Sequence, residues 1–267
     1  MKKIWIILSV ALLSCACTKT DFGPDGDGQD YGYLSLALSS DNDINQTKAV
    51  QAVSSTELSN WNVTVSQESG SFVPVQCTAN ALGTKAFAEG TYTVSVYNYA
   101  DDDAACAANS NWGAARYEGS NTVNVVKGQT TPVTVACGTA KNARFKVVFS
   151  DSFTAICTDG SGNPSEGYTF TTAGSRNLVF SKTTAGNLAY YAAGATVNYT
   201  LSYTYQGSTK TPAGSFIMGA AATEKTITIS ANNNGTISLT ISYDDTFTDA
   251  GTETVTIDAA TGEVVTQ

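Results

Sequence analysis

Histidine is absent from all 267 residues. Without an imidazole, Ser–His and Cys–His nucleophile pairs cannot form, and histidine metal sites are excluded as well. Charge is scarce: Asp, Glu, Lys and Arg make up 14% of the chain, so Thr, Ser, Asn and Gly supply the polar surface. The charge that is present leans negative, with a formal net value of −9. A chain this acidic repels phosphate backbones, so nucleic acid is not an expected partner. No 20- to 50-residue repeat is found. A facing carboxylate pair is also missing. Glycoside cleavage needs two carboxyl groups about 5–9.5 Å apart. Asp41 with Asp43, residues 101–103, and Asp244 with Asp245 are neighbours in loops and read as solvated turns. The expectation is a protein that is not an enzyme, with no catalytic residue, cofactor or metal.

What is present begins at the amino terminus. Lys2 and Lys3 precede an apolar run over residues 4–13, broken only by Ser9, and then Ser14-Cys15-Ala16-Cys17. Ten residues suit a secretory signal and fall short of the ~20 that span a bilayer. Leu12 at −3 and Ser14 at −1 resemble a bacterial lipobox, in which the cysteine is acylated and becomes the first mature residue. Cys15 is therefore the expected lipidation site. Cys17 is the fallback, with Ala16 at −1 and Ser14 as the poorer −3 residue. A signal cut without lipid attachment would leave the cysteine at the cleavage point unexplained. Acyl chains hold a protein stably because each buried CH₂ contributes about 0.8 kcal/mol. With no second hydrophobic span, the expected partner is a membrane reached through the lipid anchor, on the outer membrane and facing the cell surface.

Removing residues 1–14 leaves 253 residues with a net charge of −11, enough for two ordinary domains or one large sandwich. Residues 15–30 read as a flexible tether rich in Gly and Asp. Asp25, Asp27 and Asp30 lack the loop glycine and closing glutamate of a calcium loop. Four cysteines stay with the folded part: Cys77, Cys106, Cys137 and Cys157. Their spacings match no zinc or redox motif. An exported chain permits oxidation, with three pairings open, and buried free thiols are an equal reading.

From Tyr31 onward the hydrophobic period is two. Leu34, Leu36 and Leu38 alternate with small residues, as do Trp61, Val63 and Val65, and Val73, Val75 and Cys77. Tyr92, Val94 and Val96, then Val123 and Val125, then Val133 and Val135 repeat it. A second set runs from Phe145, Val147 and Phe149 through Tyr168 and Phe170, Leu178 and Phe180, the residues 197–205, Ile227 and Ile229, to residues 237–243. Such alternation marks half-buried antiparallel strands. One short helical turn is expected near residues 104–108, and no sustained helical spacing occurs. The expected fold is all-β: two consecutive antiparallel β-sandwiches, residues 31–140 and 141–267, about seven strands each. A terminal hairpin is expected from Val255 and Ile257, a turn over residues 258–262, and Val264 with Val265.

Several segments share one further likeness. They are Glu89-Gly90-Thr91-Tyr92-Thr93-Val94, Tyr117-Glu118-Gly119, Val133-Thr134-Val135-Ala136-Cys137, residues 142–150, and Ile237-Ser238-Leu239-Thr240-Ile241. The series resembles an uncharacterised family of lipoproteins from gut-dwelling Gram-negative anaerobes, catalogued as a domain of unknown function and similar to fimbrillin-like proteins. It covers most of residues 30–245 and leaves out the terminal hairpin. The resemblance implies two sandwiches of Ig-like or transthyretin-like type and a surface role as an adhesin or pilus-like component. It implies β-strand addition: a protease cuts after a basic residue, the first strand leaves, and a neighbouring subunit's strand fills the groove. Leu34, Leu36 and Leu38 would form that strand, and Lys48, in Thr47-Lys48-Ala49, would be the processing site. Arginine is commoner there in the family, and an ordinary loop lysine is the plain alternative. Other fimbria-like subunits are the implied partners.

The alternative function is a surface carbohydrate-binding lipoprotein for glycan capture, with a host or glycan ligand as the expected partner. Tyr97, Tyr99, Trp112 and Tyr117 lie in or beside one loop with Asp101 and Asp103. Rings beside carboxylates can stack on sugars and bond their hydroxyls. Equally, a tyrosine packs its ring in a core and shows only its hydroxyl.

Overall fold

A computed structural model describes residues 31–39, 61–67, 72–174, 176–232, 236–244 and 252–265. Cys15, Cys17 and Lys48 lie outside the described residues, as does the tether. Among the described residues no helix is long and apolar enough to cross a membrane.

The amino-terminal half contains β1 (Tyr31–Ser39), β2 (Asn62–Ser66), β3 (Val75–Thr78), α1 (Ala79–Leu82), β4 (Ala86–Ala88), β5 (Gly90–Tyr97), α2 (Asp102–Ala107), β6 (Glu118–Val125) and β7 (Thr130–Ala136). One sheet runs β4-β1-β7 and the facing sheet runs β3-β2-β5-β6. Alternate side chains meet between them. Leu34, Phe87, Val133 and Val135 come from one sheet, and Val63, Val65, Tyr92, Val94, Val96 and Val125 from the other. Period-two alternation puts these on one face because successive strand side chains point to opposite sides. Burying one such Val or Leu contributes about 1.5–3 kcal/mol.

The second half contains β8 (Asn142–Phe149), α3 (Asp151–Ile156), β9 (Thr169–Ala173), β10 (Val179–Phe180), β11 (Ala189–Ala192), β12 (Thr196–Tyr205), β13 (Ser208–Lys210), β14 (Ala213–Ile217), β15 (Glu224–Ala231), β16 (Thr236–Asp244), β17 (Thr252–Asp258) and β18 (Val264–Val265). One sheet runs β11-β8-β15-β16-β17-β18; the other runs β10-β9-β12, with β13 and β14 both pairing with β12. Its core is aromatic: the Phe145 ring lies 5.3 Å from Phe180 and 5.1 Å from Phe216, and Phe170 stacks on Tyr199 at 4.7 Å.

The fold is thus all-β, with two consecutive sandwiches and three short helices among the described residues. Two pairings depart from the expected antiparallel pattern. β1 runs parallel to β7, and β8 runs parallel to β15. A parallel pair needs a long crossover, and in each half the intervening strands provide it. Val73 was expected in a strand, yet it is 79% exposed and β3 starts at Val75. Pro74 intervenes and has no N–H for a ladder. The second half has more strands than expected, because β11 pairs with β8 and β13 and β14 both pair with β12. The terminal hairpin pairs Thr256 with Val265 and Ile257 with Val264.

Candidate functional site

β1 is the first strand of the described fold and sits inside its sheet. Residues 33–39 pair with β7 residues 130–136. On its other side only residues 31–33 pair, with β4. Leu34 is fully buried, Leu36 and Leu38 pack against the same core half-buried, and Tyr31 and Tyr33 are exposed on the opposite face. The strand is therefore held by one long ladder, one short ladder and one deeply seated leucine.

Of the six loop residues expected to form a ligand surface, Trp112 and Tyr117 turn into different cores. Tyr117 is 4% exposed and stacks on Trp61 at 6.1 Å, inside the first core. Trp112 is half-buried and meets Phe180 edge-on at 4.9 Å, against the second core. Tyr97 and Tyr99 are half-buried. Asp101 is spent on structure: its carboxylate accepts from Ala104 N at 2.8 Å and caps α2, the role aspartate favours at a helix start. Asp103 is exposed in the first turn of that helix. Neighbouring Asp102 pairs with Arg116 at 3.2 Å. Trp112 and Tyr117 thus turn into separate cores rather than onto one face, because each ring finds more apolar contact there than in water.

The loop instead fastens the two halves together. The Arg176 guanidinium donates to the carbonyls of Asn111 and Tyr190 and lies 4.2 Å from the centre of the Tyr191 ring. Tyr190 N donates to Trp112 O at 2.9 Å, and the Cys106 thiol donates to Tyr190 O at 3.3 Å. Asn109, Ser110 and Asn111 are consecutive left-handed residues, with φ of 50°, 56° and 71°. Asparagine tolerates that region best among residues with a side chain. Gly113, with φ of 84°, follows, and a Cβ there would stand 2.9 Å from the Cβ of Tyr190. Only glycine permits this approach. Residues missed by sequence reasoning, Asn142 and Arg176, hold this junction. Both are single polar residues without periodicity, so no pattern marked them.

The four folded cysteines are free thiols: Cys106, Cys137 and Cys157 are buried and Cys77 is half-buried. Burial pushes Cys137 and Cys157 up to about 11, which keeps them protonated and unreactive.

Fold and site together define a β-sandwich pair with an inserted first strand. The chain belongs to the family described as a domain of unknown function, DUF4493, whose family model matches residues 30–259. No curated protein matches it. Among solved structures it is similar to a fimbrial assembly protein from Parabacteroides distasonis ATCC 8503, at 14% identity and a TM-score of 0.45, covering 84% of this chain and 99% of that one. It is similar to a "putative cell adhesion protein" from Bacteroides eggerthii DSM 20697, at 13% identity and a TM-score of 0.41, covering 79% and 89%. A third, a "putative cell adhesion protein" from Bacteroides ovatus ATCC 8483, is 10% identical with a TM-score of 0.42, covering 82% and 97%.

Proposed function

We propose that this protein is a lipid-anchored cell-surface adhesin or fimbria-like assembly component that joins neighbours by β-strand addition. The supporting observation is β1: it is paired along residues 33–39 with β7 and seats Leu34 in the core. Excision of such a strand would open a groove with an unpaired β7 edge and an empty leucine pocket. Backbone hydrogen bonds would give a replacement strand its affinity, and alternate side chains its specificity. The sequence resemblance to fimbrillin-like proteins supports the same reading, with Lys48 as the processing site. Cys15 would carry the lipid, and the lack of histidine agrees with a role that is not catalytic.

A variant lacking residues 1–39 tests the groove directly. A synthetic peptide of residues 31–39 is expected to bind it. The Leu34→Ala peptide should bind about 100-fold more weakly, since truncating a buried leucine costs about 2–5 kcal/mol. Equal binding of the two peptides by calorimetry would remove the leucine pocket from the proposal. Glycan capture is the alternative function, and a cleft in the second half is the observation that favours it.

A further inference from the structure

A cleft of about 470 Å³ opens in the second half between α3, the loop before β9 and the turn after β10. It falls within the ~300–1,000 Å³ of small-ligand sites. Phe149 and Tyr168 form its floor, with ring centres 4.8 Å apart. Asp151 and Thr154 stand on one wall, Ser165 and Glu166 on a second, and Lys182 on the third. The Lys182 ammonium pairs with the Glu166 carboxylate across the mouth.

The walls are turns closed by their own hydrogen bonds. Asp159 accepts from Ser161 N and Asn163 N, both at 2.8 Å, and Ser165 N donates to Cys157 O at 2.7 Å. Opposite, the Thr184 hydroxyl accepts from Ser181 N and donates to Val179 O, both at 2.8 Å. The floor offers an apolar surface with one polar point: among the described residues the Tyr168 hydroxyl has no hydrogen-bond partner, although the residue is 5% exposed. Burial holds this phenol above its ordinary value, so it remains a donor. Asp151 makes no ion pair among the described residues. The Lys182–Glu166 pair is more than half exposed, and such pairs hold weakly enough to yield to a ligand.

We propose that this cleft binds one pyranose unit of a glycan, with a ring C–H face against Phe149 and hydroxyls bonded by Asp151, Glu166 and Tyr168. An apolar floor ringed by hydroxyl, carboxylate and ammonium groups suits a molecule with one apolar face and a polar edge. The site rests on the glycan-capture reading and not on strand exchange. It replaces the loop around Trp112, whose rings face the two cores.

The test is a glycan array probed with the full-length mature chain, followed by titration of the best-bound oligosaccharide. Asp151→Asn and Glu166→Gln, both on exposed positions, are expected to weaken binding at least tenfold, whereas Asp103→Asn leaves it unchanged. Phe149→Leu keeps an apolar floor without a ring and should also weaken it. Binding that survives all three cleft variants within twofold overturns the site while leaving glycan capture standing. No binding to any glycan overturns both.

Discussion

Asn142 is fully buried, yet both polar atoms of its side chain are used. Its Nδ2 donates to Ala114 O at 2.8 Å and its Oδ1 accepts from Arg116 N at 3.0 Å. An unsatisfied amide in that position would cost about 1–3 kcal/mol, so this residue ties the loop base to the start of β8. The buried thiols make a different demand. Cys137 and Cys157 titrate near 11 because burial disfavours the thiolate. Unfolding returns them to the ordinary thiol range near 9. Between those values the folded chain binds more protons than the unfolded one, so stability falls as pH rises. Their contribution is full below about pH 9 and is lost as pH climbs toward 11, at about 1.4 kcal/mol per pH unit for each thiol. Tyr203, pushed up to about 12 by burial and donating to Ala259 O at 3.1 Å, extends the loss further. Urea midpoints from pH 8 to 11 are expected to drop steeply above pH 9. A flat profile over that range would contradict the burial of these groups.

At the scale of elements, β7 shows how an open edge is kept quiet. Beyond β1 it has no strand partner among the described residues. Pro132 lacks an N–H to offer, and the Thr134 carbonyl already accepts from Asn121 Nδ2 at 2.8 Å. Proline and occupied carbonyls both blunt strand-to-strand association. Pro132→Thr restores a donor and is expected to raise self-association, read as a higher weight-average mass by sedimentation at matched concentration. An unchanged mass would mean that Pro132 does not guard this edge. Strands were the most legible part of the fold, since Val63 with Val65, or Ile227 with Ile229, announces a buried face by spacing alone. Pairing direction was not legible: Leu34, Leu36 and Leu38 look the same whether β1 runs parallel or antiparallel to β7. Short elements were missed for a related reason. The strand β13 (Ser208–Lys210) and the helix α1 (Ala79–Leu82) are too brief to carry a period. Trp112 and Tyr117 were not placed, because composition shows that rings are present but not which core they enter. The cleft was invisible, its floor and walls coming from β8, α3, one loop and one turn.

Across the whole molecule the two halves repeat one plan that the sequence does not display. The order β4-β1-β7 is matched by β11-β8-β15, and β3-β2-β5-β6 by β10-β9-β12-β14. Each half opens with a strand lying antiparallel to one neighbour and parallel to the last of its set. The difference lies at the open side. In the second half β16, β17 and β18 cover the far edge of β15, whereas β7 has no such cover among the described residues. Among the described residues only the first half combines an inserted first strand with an uncovered neighbour, and the proposed exchange of β1 rests on this asymmetry. The most direct measurement is limited trypsin cleavage of the mature chain, with the cut located by intact mass and the assembly state followed by mass photometry. Cleavage at Lys48 with release of β1 is expected to yield dimers and longer species. A chain that loses β1 and stays a single subunit at every concentration would contradict strand exchange.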